Sequence, residues 1–289
     1  MAQAQTAERK IREYDFTDAD FEHVRKLIYE HAGISLSASK QDMVYSRLAR
    51  RLREKGLTRF DDYLSLLAKN DAQEWQAFTN ALTTNLTSFY REAHHFPILA
   101  EHLARRWREH REPLTIWCCA ASTGEEPYTI AMTAIEALSG GAPAAQILAT
   151  DVDTNVLAKA DAGVYDLDRI ESIAAERARR FFLRGSGSRA GYVKVRPEVR
   201  KLITFRQLNL LDEKWPVRGP FDAIMCRNVM IYFDKVTQRR ILQKFAPLLR
   251  ADGLLFAGHS ESFFHTADLF KLRGKTVYEL AGTARARHG

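Results

Sequence analysis

No apolar run in the 289 residues approaches the roughly 20 that a membrane span needs, and residues 1–10 carry no apolar core of a secretory signal. Cysteine is scarce. Cys118, Cys119 and Cys226 are odd in number and have neither disulfide nor zinc spacing, which fits a reducing cytoplasm and leaves no metal site to expect. With 8 Pro and 15 Gly the chain has no low-complexity stretch, and 46% apolar residues is too many for a disordered chain. No internal repeat is visible. At about 150 residues per domain, the length allows one large domain or two ordinary ones. The one excess is positive charge: 43 Lys+Arg against 36 Asp+Glu, a net +7. That total points to an acidic partner, whether nucleic acid, an anionic membrane surface or an acidic protein.

The chain reads as two parts. Up to about residue 112 the pattern is helical. Thr17 and Asp20 form a capping box before Phe21, Val24, Leu27 and Ile28, and Gly33 supplies the stop. A second helix, about Lys40 to Lys55, ends at Gly56; Thr58 and Asp61 are read as the cap of a third. A fourth carries Trp75, Phe78 and Leu82, and a fifth runs from about Pro97 to His110. From Pro113 short apolar runs alternate with helices, the mark of a parallel, doubly wound sheet. Strands are expected at Leu114–Cys119, Gln146–Thr150, Ile203–Gln207, Phe221–Cys226, Gly253–Ala257 and Lys275–Leu280, the last two as an antiparallel pair at one edge. Between the second and third, the basic stretch of about 167–200 breaks the alternation. There Val193 and Val195 alternate with Tyr192, Lys194 and Arg196, so it reads as a small β insertion with a glycine-bearing turn at Gly185–Gly191.

The first strand enters Ala121-Ser-Thr-Gly-Glu-Glu-Pro127 and then a helix. Small residues at such a turn let a ligand approach the backbone, but G-x-G-x-x-G is absent, and Glu125 and Glu126 at the helix start would repel a pyrophosphate. They suit a cationic ligand, or else merely complement the helix dipole. The second strand ends at Asp151-Val-Asp153, and an acid there commonly takes ribose hydroxyls, with a surface Asp turn as the alternative. Together the two features favour an adenosine-containing cofactor with a cationic end. S-adenosylmethionine fits.

These residues resemble the CheR-type chemotaxis receptor methyltransferases, which esterify receptor glutamates with S-adenosylmethionine. The resemblance rests on Thr84-Asn-Leu-Thr-Ser-Phe-Tyr-Arg91 with Glu92-Ala-His-His-Phe96, Ala121–Tyr128, Asp151-Val-Asp153, Asn209-Leu-Leu211, Phe221–Phe233 and Gly253-Leu-Leu-Phe-Ala-Gly-His-Ser-Glu261. It runs from about Phe16 to Leu280, and loose chain is expected outside it. It implies an α/β protein: a helical N-terminal domain (14–84), a linker region and helix (85–112), and a doubly wound methyltransferase domain (113–282) carrying a small antiparallel β-subdomain at about 167–200. It places cofactor contacts on Asn85, Thr87, Arg91, Glu125 or Glu126 (Glu126 preferred), Asp151, Asn209, Leu210, Arg227 and Asn228. The products are a glutamyl methyl ester and S-adenosylhomocysteine.

A glutamate with a pKa of about 4.3 is already ionised at pH 7, so this transfer needs no Cys nucleophile and no His base. Alignment is what remains to be supplied. Tyr232 and Arg91 are the candidates to orient the acceptor carboxylate, with Arg91 alternatively holding the methionyl carboxylate. His94 and His95 read as structural, and Cys118 and Cys119 as packing.

In the second helix, Arg47, Arg50 and Arg53 are spaced by three, within a stretch of five basic residues and one acid. Such a run is ordinarily a solvated face. The resemblance makes it a docking stripe for glutamate-bearing receptor helices, and makes the β insertion a clamp for a receptor C-terminal tail. Membrane contact then comes only through the receptor. The rivals are a nucleic-acid methyltransferase and a non-catalytic receptor-binding module. Against the first, Arg227-Asn-Val-Met-Ile-Tyr232 has no Asn/Asp-Pro-Pro-aromatic run and no array of aromatic and basic residues stands out; against the second, every motif is intact.

Overall fold

The computed structural model describes residues 12–138 and 145–282; the expectations for the chain ends fall almost wholly outside that range. The chain divides into two compact units, Met1–Leu82 and Thr83–Gly289, so the stretch 85–112 expected as a linker belongs to the second.

The first unit is helical. α1 (Asp18–Ala32) begins where the sequence predicts, with Thr17 Oγ1 accepting from Asp20 N at 3.1 Å and the Asp20 carboxylate from Thr17 N at 2.7 Å. α2 (Gln41–Lys55) stops at Gly56, whose φ of 66° suits a residue without a side chain. α3 (Phe60–Leu67) departs from expectation, because Thr58 and Asp61 do not cap it. Arg59 holds the cap position without a side-chain hydrogen bond, and Asp61 pairs with its guanidinium at 3.1 Å. Burial of Phe60, Tyr63, Leu64 and Leu67, at about 1.5–3 kcal/mol for each fully buried apolar side chain, outweighs a cap worth about 1 kcal/mol. α4 (Ala72–Leu82) carries Glu74 into the core, where Arg51 (2.8 Å), Lys55 (2.7 Å) and the Tyr63 hydroxyl (2.8 Å) meet it. Burial pushes the Glu74 carboxyl up, but these partners outweigh it and hold the group below its ordinary range.

The second unit runs α5 (His95–His110), β1 (Leu114–Cys118), α6 (Glu125–Ala137), β2 (Ala145–Asp151), α7 (Thr154–Ala162), β3 (Val164–Asp166), α8 (Ala175–Phe181), β4 (Phe182–Arg184) and β5 (Tyr192–Val195). It continues with α9 (Pro197–Arg200), β6 (Ile203–Gln207), β7 (Phe221–Cys226), α10 (Lys235–Phe245), β8 (Leu249–Ala257), β9 (Phe270–Gly274) and β10 (Val277–Leu280). The main sheet has the order β6-β2-β1-β7-β8-β10-β9, parallel as far as β8. Alternate residues of β1 serve opposite layers: Ile116 and Cys118 pack with Leu99 of α5 and Ile130 of α6, while Trp117 packs with Ile241 and Phe245 of α10. That two-sided burial is why β1 reads as a continuous apolar run.

Two expectations change. β10 does pair antiparallel with β8, but β9 lies outside it and takes the edge. β9 was missed because its turn, Lys275-Thr276 at φ 51° and 55°, lacks the Asn-Gly or Asp-Gly signal usual for that backbone. The insertion forms a separate antiparallel sheet in the order β3-β5-β4, and it starts at Val164, ahead of the expected 167. Val193 and Val195 face inward and Tyr192 and Lys194 outward, as their alternation predicts. Among the described residues no helix is long and apolar enough to cross a membrane.

The amino-terminal ends of the strands are tied by Asp222, which has no exposed surface. Its carboxylate lies 3.1 Å from both Arg106 Nε of α5 and Arg250 Nε of β8, and accepts from Thr115 N of β1 at 2.8 Å. His102, held neutral by burial, donates Nε2–H to the Asp222 carbonyl at 2.9 Å. Removing one partner of such a buried pair strands the other charge. Asp222→Ala should therefore cost the second unit about 3–5 kcal/mol, read as a lowered midpoint in urea unfolding. An unchanged midpoint would mean that the cluster is energetically idle.

Candidate functional site

After β1 the chain moves outward through β2 to β6, then returns to β7 on the other side of β1. The strand order therefore reverses between β1 and β7, the crevice where open α/β sheets bind ligands at the carboxyl ends of their strands. The loops after β1, β2, β6, β7 and β8 carry nearly all the residues singled out above, and the segment from Thr83 to His94 joins them.

The loop after β1 is held by backbone bonds, Cys119 N to Met225 O and Ala121 N to Thr150 O, both 2.9 Å. It turns through two left-handed residues, Ser122 (φ 48°) and Gly124 (φ 101°). A Cβ at Gly124 would sit 2.7 Å from the Tyr165 hydroxyl, so no larger residue fits there. α6 begins at the next residue. Glu125 is buried, with its carboxylate bonded to the Arg169 guanidinium and accepting from Thr123 Oγ1 at 2.6 Å. Glu126 lies 3.1 Å from Arg227 Nη1 and accepts from the Cys118 thiol at 3.4 Å. Burial pushes the Glu126 carboxyl up, with Arg227 opposing.

At the end of β2, Asp151 accepts from Ser122 N (2.8 Å) and Asp153 N (3.0 Å). Burial still pushes its carboxyl up to about 6. Asp153 caps α7 through Asn155 N at 2.9 Å and takes Thr83 Oγ1 (2.6 Å) and Asn85 Nδ2 (2.9 Å) on its other oxygen. The Asn85 amide is thus spent in part on fastening the 83–88 segment. Thr87, half-buried, gives its carbonyl to Arg169 Nη2 at 2.8 Å, and Arg91 Nη1 closes back on Leu86 O at 2.8 Å. After β6, Asn209 Oδ1 accepts from Leu211 N at 3.0 Å, while the Leu210 side chain is buried in the same apolar cluster as Trp117.

Arg227 and Asn228 follow β7. Arg227 is buried and donates to Arg91 O, with Glu92 at 3.4 Å and Glu126 at 3.1 Å on two sides. Its Nε and Nη1 hydrogens make no aligned hydrogen bond despite the second ion pair. Asn228 sits at φ 58°. Tyr232 is half-buried, and among the described residues its hydroxyl takes no partner. The structure thus brings Asn85, Thr87, Arg91, both glutamates, Asp151, Asn209, Leu210, Arg227, Asn228 and Tyr232 to one end of the sheet. Four further residues shape the site: Glu92, Asp153, Arg169 and Glu261. Three of them lie inside the motifs quoted for the resemblance, and only the bonding makes them informative; Arg169 in the insertion had no signal.

Arg47, Arg50 and Arg53 lie on α2 in the first unit and are not one uniform stripe. Arg47 is half-buried and donates to Ala81 O at 3.2 Å, whereas Arg50 and Arg53 are exposed, beside Glu54 (3.0 Å) and Glu13 (3.4 Å). His95 is buried with Nε2 2.8 Å from Lys275 O and its pKa pushed down to about 4, a structural setting. All three cysteines are buried free thiols whose pKa is raised by burial.

The residues present fit S-adenosylmethionine. The loop after β1 is packed tightly around Gly124 at the switch point, the buried Asp151 and the half-buried Glu126 are carboxylates only partly compensated, and Arg227 keeps Nε and Nη1 hydrogens without an aligned acceptor. A ligand with hydroxyls and a cationic sulfur answers the two carboxylates.

Residues 19–83 match the family model described as CheR methyltransferase, all-alpha domain, and residues 85–279 that described as CheR methyltransferase, SAM binding domain. The chain is 54% identical to the chemotaxis protein methyltransferase of Salmonella typhimurium over 266 residues, 92% of this chain and 91% of that one. It is 53% identical to the Escherichia coli protein of the same name, covering 92% of each. Chemotaxis protein methyltransferase 2 of Pseudomonas aeruginosa is 52% identical over 93% of this chain and 96% of its own.

A ligand hydroxyl donates well to Asp151 only while that carboxyl is ionised, and burial sets its pKa at about 6. S-adenosylmethionine affinity should be constant above that pH and fall below it, approaching tenfold per pH unit. Calorimetry from pH 5 to 8 measures this. Asp151→Asn should bind about 10–100-fold more weakly at pH 8, the loss of one charge-assisted hydrogen bond, with a flatter acid limb. A pH-independent Kd in the wild type would rule out this role.

Proposed function

The chain belongs to the CheR methyltransferase family, and from that premise we propose that it methylates glutamate side chains of membrane chemoreceptors, working from the cytoplasm with S-adenosylmethionine as donor. The observation that carries this reading is the convergence of the Asn85–Arg91, Gly124–Glu126, Asp151 and Arg227–Tyr232 segments on the switch point of the sheet.

The cofactor supplies a methyl group on a cationic sulfur, and the products are the glutamyl methyl ester and S-adenosylhomocysteine. One glutamate oxygen forms the O–CH3 bond as the S–CH3 bond breaks. An anion and a cation become two neutral molecules, so charge is lost on the way to the transition state. A dry, low-dielectric setting favours such a step, and a strong cation held against the acceptor would oppose it. The protein's task is to orient and to exclude water. Tyr232 suits the first: a neutral phenol steers one carboxylate oxygen without quenching it. Arg91, closed onto Leu86 O, holds either the acceptor or the methionyl carboxylate with its planar fork. Glu126 and Asp151 would hold the cationic and hydroxyl-bearing parts of the cofactor, and Asn85, Thr87, Glu125, Asn209, Leu210, Arg227 and Asn228 would line it. The step requires no metal.

Substrate capture is assigned to two surfaces, each within its own unit. On α2, Arg50 and Arg53 offer exposed positive charge to acidic receptor helices. In the insertion, β3 and β4 are the open edges of the small sheet, and Val164, Leu183 and Tyr192 are exposed on it. A receptor C-terminal tail adds there as a further strand.

Radiolabelled methyl transfer to receptor-containing membranes, followed by methanol release in mild base, tests the reaction; esters release methanol and N-methyl groups do not. Label that resists base would overturn the reading. Tyr232→Phe and Arg91→Ala should each lower transfer by about tenfold or more, and wild-type turnover in both would remove those roles. Arg50→Glu with Arg53→Glu should reduce methylation of whole receptor while leaving the cofactor Kd unchanged; undiminished methylation would refute docking there.

A further inference from the structure

The loop that carries Asn228 and Tyr232 is held in place by two carboxylates, Glu261 and Glu92. Glu261, buried after β8, accepts from the backbone of the loop after β7: Asn228 N at 3.0 Å on Oε2 and Ile231 N at 3.3 Å on Oε1. Its Oε2 also takes Gly258 N at 2.5 Å. Glu92 approaches from α5's N-terminal side. Its Oε1 accepts Asn228 Nδ2 at 3.1 Å, His259 N at 3.1 Å and His259 Nδ1 at 3.0 Å, and its Oε2 faces Arg227.

Asn228 is therefore gripped by backbone and side chain at once, in a left-handed conformation (φ 58°) that asparagine tolerates better than most residues. Gly258 completes the grip, since a Cβ there would run into the Asn228 amide and backbone nitrogen. From Asn228 the chain passes through one short turn to Tyr232, whose N donates to Val229 O at 3.1 Å. Any slack at Asn228 moves the tyrosine.

We propose that Glu261 and Glu92 are positioning residues for methyl transfer: together they lock Asn228 and the loop to Tyr232 into the one arrangement that aligns donor and acceptor. This deepens the reading of the site given above and rests on it. Glu261 is the stricter member, because both of its oxygens accept from backbone N–H groups. A glutamine there must turn an NH2 group toward one of those donors. At Glu92 a glutamine keeps an acceptor for Asn228 and loses the attraction to Arg227, so its effect is smaller.

The test uses the full-length Glu261→Gln and Glu92→Gln proteins with receptor membranes. Single-turnover rates, receptor KM, thermal midpoint and amide hydrogen exchange by mass spectrometry are measured. For Glu261→Gln we expect methyl transfer to fall about a hundredfold, the cost of an ångström-scale misplacement, with receptor KM within twofold of wild type. Exchange should quicken at Asn228, Ile231 and Gly258 while the strands β1 and β2 stay protected. Unchanged exchange in that loop, or exchange that quickens uniformly, would overturn the proposal. If Glu261→Gln fails to fold, Glu92→Gln decides: about a tenfold loss of rate at a near-native midpoint supports the lock, and wild-type turnover refutes it. Should the wild type methylate no receptor glutamate, the reaction falls, while the exchange pattern still judges the lock.

Discussion

A guanidinium buried without solvent needs counter-charge, and in this protein it comes from two segments distant in the chain. Arg227 follows β7; Glu126 lies in the first turn of α6; Glu92 and the Arg91 carbonyl end the segment that enters the site ahead of α5. The Phe96 ring lies 5.6 Å from its charge centre. Stranding a buried charge costs several kcal/mol, so the three segments cannot separate without a penalty of that order. The positions of Asn228, of Glu126 and of the main chain at Arg91 all follow from that one requirement. Burial pushes the Glu92 carboxyl up, yet His259 and Asn228 with Arg227 bring it down to about 2, so Glu92 remains an acceptor throughout the physiological range.

The same site is rich in acid, which constrains what it can hold. Asp151 and Glu126 sit at the carboxyl ends of the strands with their carboxyls pushed up by burial, a state maintained only where a ligand or a neighbour compensates it. A polyphosphate would aggravate that deficit, and a ligand with a cationic sulfur and a ribose relieves it. In the proposed reaction the acceptor is a carboxylate entering this field, and a strong cation held against it would oppose the loss of charge toward the transition state. Basic residues instead stand on α2 and in the insertion.

Much of the architecture was legible in the pattern of residues. The capping box at Thr17, the left-handed stops at Gly33 and Gly56, and the two-sided apolar run of β1 each follow from local rules that neighbouring residues satisfy alone. Local rules failed where tertiary burial took over. α3 forms without its expected cap because its buried face suffices. β9 hides behind a left-handed Lys-Thr turn that only pairing with β10 sustains. Of the expected stripe on α2, Arg50 and Arg53 are exposed while the half-buried Arg47 turns to Ala81 O, a difference that composition does not show.

By itself the sequence determined the order of helices and strands, the glycine at position 124, the acid after β2 and the motifs that mark the family, because these depend on residue type and near-neighbour spacing. Only the tertiary structure decided which donors each acid takes. Asp151 and Asp153 are two residues apart and look alike in the chain. One lies buried against Ser122 N, and the other is consumed by the α7 cap together with Thr83 and Asn85. The physical reason is that a carboxylate's role is set by the donors that reach it, and here those donors come from residues up to about seventy positions away.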